Sequence, residues 1–310
     1  MIIECVANVS EGRDARVLAA LASAIRAVPG AHLADVHSDP DHHRSVFTIL
    51  GAPTVVEAAA LVLAEAALSR IDMREHHGLH PRLGALDVVP FVPLAGTPMT
   101  VAVDVARRVG TTLAERHALP VYFYGAAARS PERRELPDVR RGGYEALAVR
   151  LTTPAGAPDA GPARFDARAG AAVVGARGVL VAYNVWLETA ELDTARAVAR
   201  AVRERDGGLR AVRALGVPLP SRGLVQVSLN LLDYRVTSVP DAFDRVEREA
   251  TRRHVTIRRG ELVGLAPRAA FADRTPASVG LPDVGDTAML ETHVARLTAS
   301  VRRGASADPP

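Results

Sequence analysis

Residues 2–50 read IIECVANVSEGRDARVLAALASAIRAVPGAHLADVHSDPDHHRSVFTIL and decide the predicted fold. Residues 2–9 are rich in β-forming side chains and predict a strand. Apolar side chains spaced by three and four residues predict a helix over 13–28, which a Pro-Gly pair ends. Residues 31–37 and 45–50 then predict two strands joined by a polar turn. The stretch therefore predicts the order strand, helix, strand, strand.

The next segments complete this unit. A proline at the expected N-terminal position opens a predicted helix over 53–70, and an apolar run predicts a strand over 85–92. The order β-α-β-β-α-β is that of a ferredoxin-like unit. A helix over 100–117 and a strand over 121–124 follow, and the pattern over 126–150 is irregular.

The second half of the chain repeats this order. We predict, in sequence, a strand, a helix, two strands, a helix and a closing strand, over 178–187, 189–205, 211–217, 225–232, 240–253 and 261–265. Proline, glycine and small residues over 152–170 predict the connection between the halves. An α/β chain with another sheet order is the alternative.

The predicted fold class is therefore α/β (α+β), with two tandem ferredoxin-like βαββαβ subdomains. We place the N-terminal subdomain at 1–170 and the C-terminal subdomain at 171–300. The small, polar residues at the end predict a disordered tail over 301–310.

Composition excludes several classes of function. All 38 basic residues among the 310 are arginine, so chemistry that needs a lysine, such as Schiff-base formation or a P-loop, is excluded. Arginine is scattered, and aromatic residues make up only 4%, whereas a nucleic-acid-binding protein typically concentrates basic and aromatic side chains on one face. We therefore expect no nucleic-acid partner.

The location and the covalent chemistry follow from two further features. Cys5 is the one cysteine of the chain, so we expect no internal disulfide and no cysteine metal cluster, which favours a reducing cytoplasm. No apolar run reaches the ~18 residues that cross a bilayer, and the N-terminus lacks the features of a signal peptide. We predict a cytoplasmic protein with no membrane partner.

Histidine is concentrated on two predicted loops of the first half. Six of the ten histidines lie between residues 37 and 80, on these loops or at the strand end before them: His37, His42, His43, His76, His77 and His80. Functional groups often lie on loops that a rigid scaffold holds. The cluster is compatible with a metal site, with acid-base catalysis by one imidazole, or with surface histidines that have no chemical role.

One segment of this cluster combines several constraints. Pro81 restricts the backbone of His80, Arg82 offers a guanidinium that suits a carboxylate, and Gly84 permits a close approach of backbone or ligand. A positioned base next to a carboxylate-binding side chain suits reactions on anionic small molecules. The segment around His80 is therefore the most constrained part of the cluster, and the residues alone leave the three interpretations open.

Several segments, in this order, resemble the glutamate formiminotransferases. They are ECVANVSEG at 4–12, an Asp, Pro and Arg at 35, 40 and 44, IDM at 71–73, HPRLGALDVVPF at 80–91, PVYFYG at 120–125, GGYE at 142–145, PDAGP at 158–162, GAR at 175–177, QVSLNLLD at 226–233 and LVGL at 262–265. They span nearly the whole chain. The chain is identified as a member of this family, in its single-function form without a cyclodeaminase domain.

The resemblance implies two ferredoxin-like subdomains with folate bound in the cleft between them. It implies transfer of a formimino group between N-formimino-L-glutamate and tetrahydrofolate, the latter as co-substrate, with His80 as the catalytic residue and no metal. The folate-contacting stretch maps to 161–170, which includes Gly161, Pro162, Phe165 and Gly170.

Both substrates of this reaction are anionic, so arginines should bind their carboxylates. Arg44, Arg82 and Arg177 are the candidates. The alternatives are formyl rather than formimino transfer, a folate-binding protein of the same fold without turnover, and a metal-dependent hydrolase. A ferredoxin-like sheet with exposed edges also favours a homodimer.

Overall fold

The computed structural model describes the backbone of residues 1–305 and the side chains of residues 1–299. The chain divides into two compact units, Met1–Arg177 and Gly178–Pro310. No helix of the described residues is both long enough and apolar enough to cross a membrane.

The first unit is built on a six-stranded sheet. Its strands are β1 (Ile2–Val9), β2 (His32–Asp39), β3 (Arg44–Gly51), β4 (Leu86–Leu94), β5 (Val121–Gly125) and β6 (Ala172–Ala176). The strand order is β2-β3-β1-β4-β6-β5, and β1 is antiparallel to both β3 and β4. The first four strands therefore have the arrangement of a ferredoxin-like sheet. Strand β6 extends this sheet, because it pairs in parallel with β4 and β5.

Three long helices cover one face of this sheet, and two single helical turns pack on the other. The unit contains α1 (Ala15–Arg26), α2 (Pro53–Arg70), α3 (Met99–His117) and the single turns α4 (Leu136–Val139) and α5 (Leu147–Arg150). Ile3, Cys5 and Ala7 of β1 belong to the core with α1, α2 and α3. Because side chains alternate along a strand, Glu4 and Asn8 lie on the opposite face, where α4 and α5 pack through Val139 and Leu147.

The second unit repeats the ferredoxin-like order. It contains β7 (Val181–Leu187), α6 (Leu192–Val202), β8 (Val212–Leu219), β9 (Leu224–Leu231), α7 (Val239–Thr251), β10 (Ile257–Val263) and α8 (Leu290–Ala305). The sheet order is β10-β7-β9-β8, the same as that of the first four strands of the first unit. The predicted pair of βαββαβ units is confirmed.

The structure corrects two predicted boundaries. The first unit ends at Arg177 rather than at residue 170, because β6 lies between β4 and β5 in its sheet. Residues 152–170 are therefore not a connection between units. They fold back on the first unit, where the Tyr122 hydroxyl donates to the Gly156 carbonyl at 2.7 Å and Gly170 pairs with Gly84.

The predicted disordered tail over 301–310 is wrong for residues 301–305, which continue α8. Apolar side chains at Leu290, Val294 and Leu297 recur at helical spacing and open this helix. Residues 306–310 lie outside the described residues.

A pair of alanine substitutions tests the Gly84–Gly170 contact. Gly170 and Gly207 both have positive φ, 70° and 85°, so alanine at either position is strained by about 1–2 kcal/mol. At Gly170 the new Cβ would also lie 2.2 Å from the Leu83 carbonyl oxygen, whereas at Gly207 nothing lies within 4 Å. We expect Gly170→Ala to lower the free energy of unfolding in urea by clearly more than Gly207→Ala. Equal losses would show that the contact does not constrain the fold.

Candidate active site

One edge of the first sheet collects the predicted site. Strand β1 ends there at Val9, and β3 and β4 begin there at Arg44 and Leu86. The antiparallel register, with Val9 opposite both Ser45 and Leu86, brings these three ends together. The two histidine-bearing loops meet at the same edge, where the Leu79 amide donates to the Asp41 carbonyl at 3.3 Å.

Backbone and side-chain hydrogen bonds hold the loop that carries His80. The Ser10 hydroxyl donates to the Gly84 carbonyl at 2.7 Å, and the Leu83 amide donates to Asp87 Oδ1 at 2.9 Å. The Ala171 amide donates to the Leu83 carbonyl at 3.1 Å. The end of β1, the start of β4 and the segment before β6 therefore all constrain residues 83–87.

The half-buried imidazole of His80 has a defined tautomer. Its Nδ1 lies 2.8 Å from the Pro81 carbonyl oxygen. A carbonyl oxygen only accepts hydrogen bonds, so Nδ1 carries the proton and Nε2 keeps its lone pair. The His42 ring lies 5.7 Å from the His80 ring, centroid to centroid. His80 can therefore accept a proton at Nε2.

Burial and nearby cations lower the pKa of His80 well below its usual value. Burial is the largest cause, followed by the positive charges of Arg44 and Arg140 and by His42. The hydrogen bond to the Pro81 carbonyl acts in the opposite direction. His80 is consequently neutral at pH 7, which is the state that a general base requires.

Arg44 lies at the start of β3 and reaches across the sheet to β1. Its guanidinium donates to Oδ1 of Asn8, a side chain on the face opposite α1, α2 and α3. Burial and the charge of Arg140 lower the pKa of Arg44 to about 10, so it stays charged at neutral pH. The buried Nε of Arg44 has no hydrogen-bond partner among the described residues.

Arg140, which sequence analysis did not single out, completes the cationic group. It follows α4 and forms an ion pair with Asp87, whose side chain is 1% exposed. The Arg140 side chain is itself 10% exposed, and its buried Nε also lacks a partner among the described residues. Asp87 was visible in the HPRLGALD segment, whereas Arg140 lies in the irregular stretch over 126–150, where only the fold could indicate its position.

Arg82, in contrast, is engaged in contacts within the protein. Its Nε donates to His76 Nδ1 at 3.1 Å, and its guanidinium pairs with Glu145 at 2.7 Å. The guanidinium carbon also lies 5.7 Å from the centre of the Tyr144 ring. These contacts give Arg82 a structural role in holding the loop, next to its predicted role in binding a carboxylate.

Two further histidines, His43 and His76, connect the two histidine-bearing loops. The His43 and His76 rings stack with centroids 4.4 Å apart, and His76 Nε2 lies 2.8 Å from the His43 carbonyl oxygen. His43 Nε2 lies 3.1 Å from Glu11. Although burial raises the pKa of Glu11, the hydrogen bonds from His43 and from two backbone amides lower it to about 2. Glu11 is therefore ionised and anchors the His43–His76 stack.

Residues 161–170, the stretch predicted to contact folate, lie in two separate parts of the first unit. Gly170 pairs with Gly84 beside the His80 loop, and the Phe165 ring packs on Tyr144 with centroids 5.5 Å apart. Gly161 lies next to the Leu119 carbonyl, just before β5, and Pro162 follows it. The structure thus brings Gly170 close to the His80 loop and places Gly161 and Pro162 near the edge strand β5.

Arg177 lies farther along the sheet than the other candidates. Its amide donates to the Phe91 carbonyl at 3.1 Å, and Phe91 is opposite Cys5 on β1. This position is roughly three residues, or about 10 Å, along β1 from Asn8. Arg177 therefore acts on Glu4 and Tyr124, where burial raises both pKa values and the charge of Arg177 opposes the rise.

Among the described residues, no group of three or more His, Cys, Asp or Glu side chains is arranged to hold a metal ion. The clustered histidines instead contact one another, the backbone and carboxylates. A neutral imidazole flanked by guanidiniums defines a site for acid-base chemistry on an anionic small molecule.

Comparison with known proteins identifies the family. The family profile "Formiminotransferase domain, N-terminal subdomain" matches residues 2–177, and "Formiminotransferase domain" matches residues 182–277. The chain therefore belongs to the formiminotransferase family, as its sequence motifs predicted.

Named relatives fall into two groups. The chain is 38% identical to the glutamate formimidoyltransferase of Streptococcus pyogenes serotype M1 and 40% identical to that of Thermoplasma acidophilum, covering 88% of this chain and 91% and 90% of those proteins. It is 42% identical to the formimidoyltransferase-cyclodeaminase of Sus scrofa, over 88% of this chain and 51% of that protein. The chain thus spans about half the length of that longer relative.

The buried carboxyl of Glu4 predicts a pH-dependent stability. Burial raises the pKa of Glu4 to about 7, although Arg177 opposes the shift. The unfolded chain releases this proton near pH 4.5, so stability should fall by up to about 3 kcal/mol between pH 4.5 and 7 and then level off. We expect Glu4→Gln to be more stable than the wild type at pH 8 and similar to it at pH 4.5 in urea unfolding. Glu65→Gln, an exposed control, should match the wild type at both pH values, and the same result for Glu4→Gln would disprove this account.

The electrostatics of His80 can be measured directly. We expect the NMR titration of its ring protons, assigned with His80→Gln, to give a pKa below 6.5. Replacing Arg44 with Met removes a positive charge, which should raise that pKa. An unchanged His80 titration in Arg44→Met would disprove the electrostatic coupling.

Proposed function

We propose that this protein transfers a formimino group between N-formimino-L-glutamate and tetrahydrofolate, with His80 as the general acid and base. Membership of the formiminotransferase family supports the reaction. The observation that carries the role of His80 is the unprotonated Nε2 of an imidazole whose Nδ1 is held by the Pro81 carbonyl. The two glutamate formimidoyltransferases that the chain resembles are named for this transfer.

The chemistry needs one proton to move between two nitrogens. When the folate N5 accepts the formimino carbon, N5 loses a proton and the departing glutamate nitrogen gains one. In the reverse direction the glutamate ammonium must lose a proton before its nitrogen can attack. A neutral His80 can take the proton at Nε2 and deliver it to the other nitrogen. The attacking group belongs to the substrate, so the protein needs no nucleophile of its own.

The remaining predicted residues have binding roles in this proposal. Arg44, next to His80, binds a substrate carboxylate. The segment over 161–170 and Arg177 contact tetrahydrofolate, the co-substrate, with Gly170 nearest to the His80 loop. Binding both substrates at one site converts a reaction between two free molecules into one within a complex. This can lower the activation free energy by several kcal/mol. The cytoplasmic location and the homodimer remain predictions from the sequence.

His80→Ala tests the proposal. We expect kcat for N-formimino-L-glutamate and tetrahydrofolate to fall by about 10²–10⁴-fold, the usual contribution of a general acid-base residue. The circular dichroism spectrum and melting temperature should change little, because the ring is half-buried. His117→Ala, on the exposed end of α3, is the matched control and should keep full activity.

The same assay separates the alternatives. An active His80→Ala protein would disprove the role of His80 and leave the family assignment intact. Faster turnover of N-formyl-L-glutamate than of the formimino compound would indicate formyl transfer. Tight binding of tetrahydrofolate by the wild type, with no product from either donor, would indicate a folate-binding protein without turnover.

A further inference from the structure

We propose that Arg140, together with Arg44, binds the α-carboxylate of the amino-acid substrate, and that Asp87 holds Arg140 in place for this contact. The inference rests on the proposed function, because it names the part of the substrate that this site recognises. It assigns a role to Arg140, which no sequence motif indicated.

Hydrogen bonds attach the two arginines to neighbouring residues of β1 and β4. Arg44 donates to Asn8 Oδ1, and Asn8 Nδ2 lies 3.4 Å from the carbonyl oxygen of Val88, its partner in the register of β1 and β4. Asp87 precedes Val88 and forms the ion pair with Arg140. Both guanidiniums therefore lie at the edge of the sheet where the His80 loop is held.

Each guanidinium has donor capacity that the protein does not use. Arginine has five N–H donors. The Nε atoms of Arg44 and Arg140 are buried and have no hydrogen-bond partner among the described residues. Leaving buried donors unpaired costs free energy, and the cost is larger for charged groups. Unused donors on two adjacent guanidiniums are suited to an anionic ligand.

The positive charge of the two arginines also favours a bound anion. The positive charge of Arg140 is one cause of the lowered pKa of Arg44, so the two cations repel each other. Asp87 offsets one of them, and one of its oxygens also accepts the Leu83 amide. The negative charge of Asp39 also stabilises the charged form of Arg44. The Asp39 oxygens, however, contact the amide and the ring of His42. A bound carboxylate would relieve the remaining repulsion and accept charge-assisted hydrogen bonds.

The chemistry identifies which carboxylate is bound. The α-carboxylate of glutamate is two bonds from the amino nitrogen, whereas the γ-carboxylate is four bonds away. When His80 reaches that nitrogen, the α-carboxylate lies close to His80, where the charges of Arg44 and Arg140 also act. Arg82 is the less suitable partner, because His76, Glu145 and Tyr144 already engage its guanidinium.

The arrangement couples binding of the substrate to the basicity of His80. Burial is the largest cause of the lowered pKa of His80, and the groups that act on it besides are Arg44, Arg140, His42 and the Pro81 carbonyl. A carboxylate on the two arginines offsets their effect, so the proton affinity of Nε2 rises as the substrate binds. The acidic limb of the pH profile should accordingly lie at higher pH for kcat, which reports the complex, than for kcat/KM, which reports the free enzyme.

The test combines a change in the enzyme with a change in the substrate. Wild type, Arg140→Met and Arg141→Met are assayed with N-formimino-L-glutamate and with N-formimino-4-aminobutyrate, which lacks the α-carboxylate. Arg141 is the neighbouring arginine, 81% exposed and paired with Asp138, and serves as the matched control. We expect the wild type and Arg141→Met to prefer the first donor by about 10²–10³-fold in kcat/KM. Arg140→Met should lose about 10²-fold with that donor and show less than about tenfold preference between the two.

The outcomes are decisive for the inference. Equal kcat/KM of the wild type for the two donors overturns it, and this measurement does not depend on any variant folding. A preference that Arg140→Met retains also overturns it, provided that the variant has the melting temperature of the wild type. If Arg140→Met does not fold, Arg140→Lys replaces it, and it should lose part of the preference because lysine keeps the charge without the planar fork.

Failure of the proposed function gives a different result. Wild type that turns over neither donor would disprove the proposed reaction. Calorimetric titration with L-glutamate and 4-aminobutyrate then tests the site alone. Tighter binding of L-glutamate by the wild type and by Arg141→Met, but not by Arg140→Met, would support the carboxylate site. Equal binding of the two compounds by the wild type would overturn it.

Discussion

The candidate site depends on the buried carboxylate of Asp87. One oxygen accepts the Leu83 amide and fixes the end of the His80 loop, and the other pairs with Arg140. A buried carboxylate is stable only when its hydrogen bonds are satisfied, and removing one partner is costly. The loop and the arginine are therefore positioned by the same group. This shared anchor keeps the neutral imidazole and the cationic group at one edge of the sheet.

The ferredoxin-like topology explains why the site lies at this edge. In the order β2-β3-β1-β4, the end of β1 lies between the starts of β3 and β4. Residues far apart in sequence, such as Asn8, Arg44 and Asp87, consequently become neighbours. The added strand β6 strengthens the arrangement, because the segment before it pairs with residues 83–85. The rigid strands thus hold the loops in place, and the loops carry side chains such as His80.

The sequence predicted much of the fold because its composition and its turn and helix-start signals are strong. The strand rich in β-forming residues over 2–9 and the helix opened by a proline over 53–70 coincide with the observed β1 and α2. It missed β6, because AVVGA is a short strand paired in parallel with partners that local pattern does not reveal. It also missed the role of Arg140, since an arginine in an irregular stretch gives no signal until the fold brings Asp87 beside it. The ion pair and hydrogen bond of Arg82 could likewise not be read from HPRLG alone.

The use of arginine rather than lysine beside His80 has a chemical consequence. The surroundings that lower the pKa of Arg44 to about 10 would lower the pKa of a lysine at the same position in the same sense. The free-amine form of such a lysine is a nucleophile, and in the proposed reaction it could capture the one-carbon unit in place of the intended acceptor. A guanidinium supplies positive charge without a competing nucleophile, so the site can attract acidic metabolites while remaining inert toward the group that it hands over.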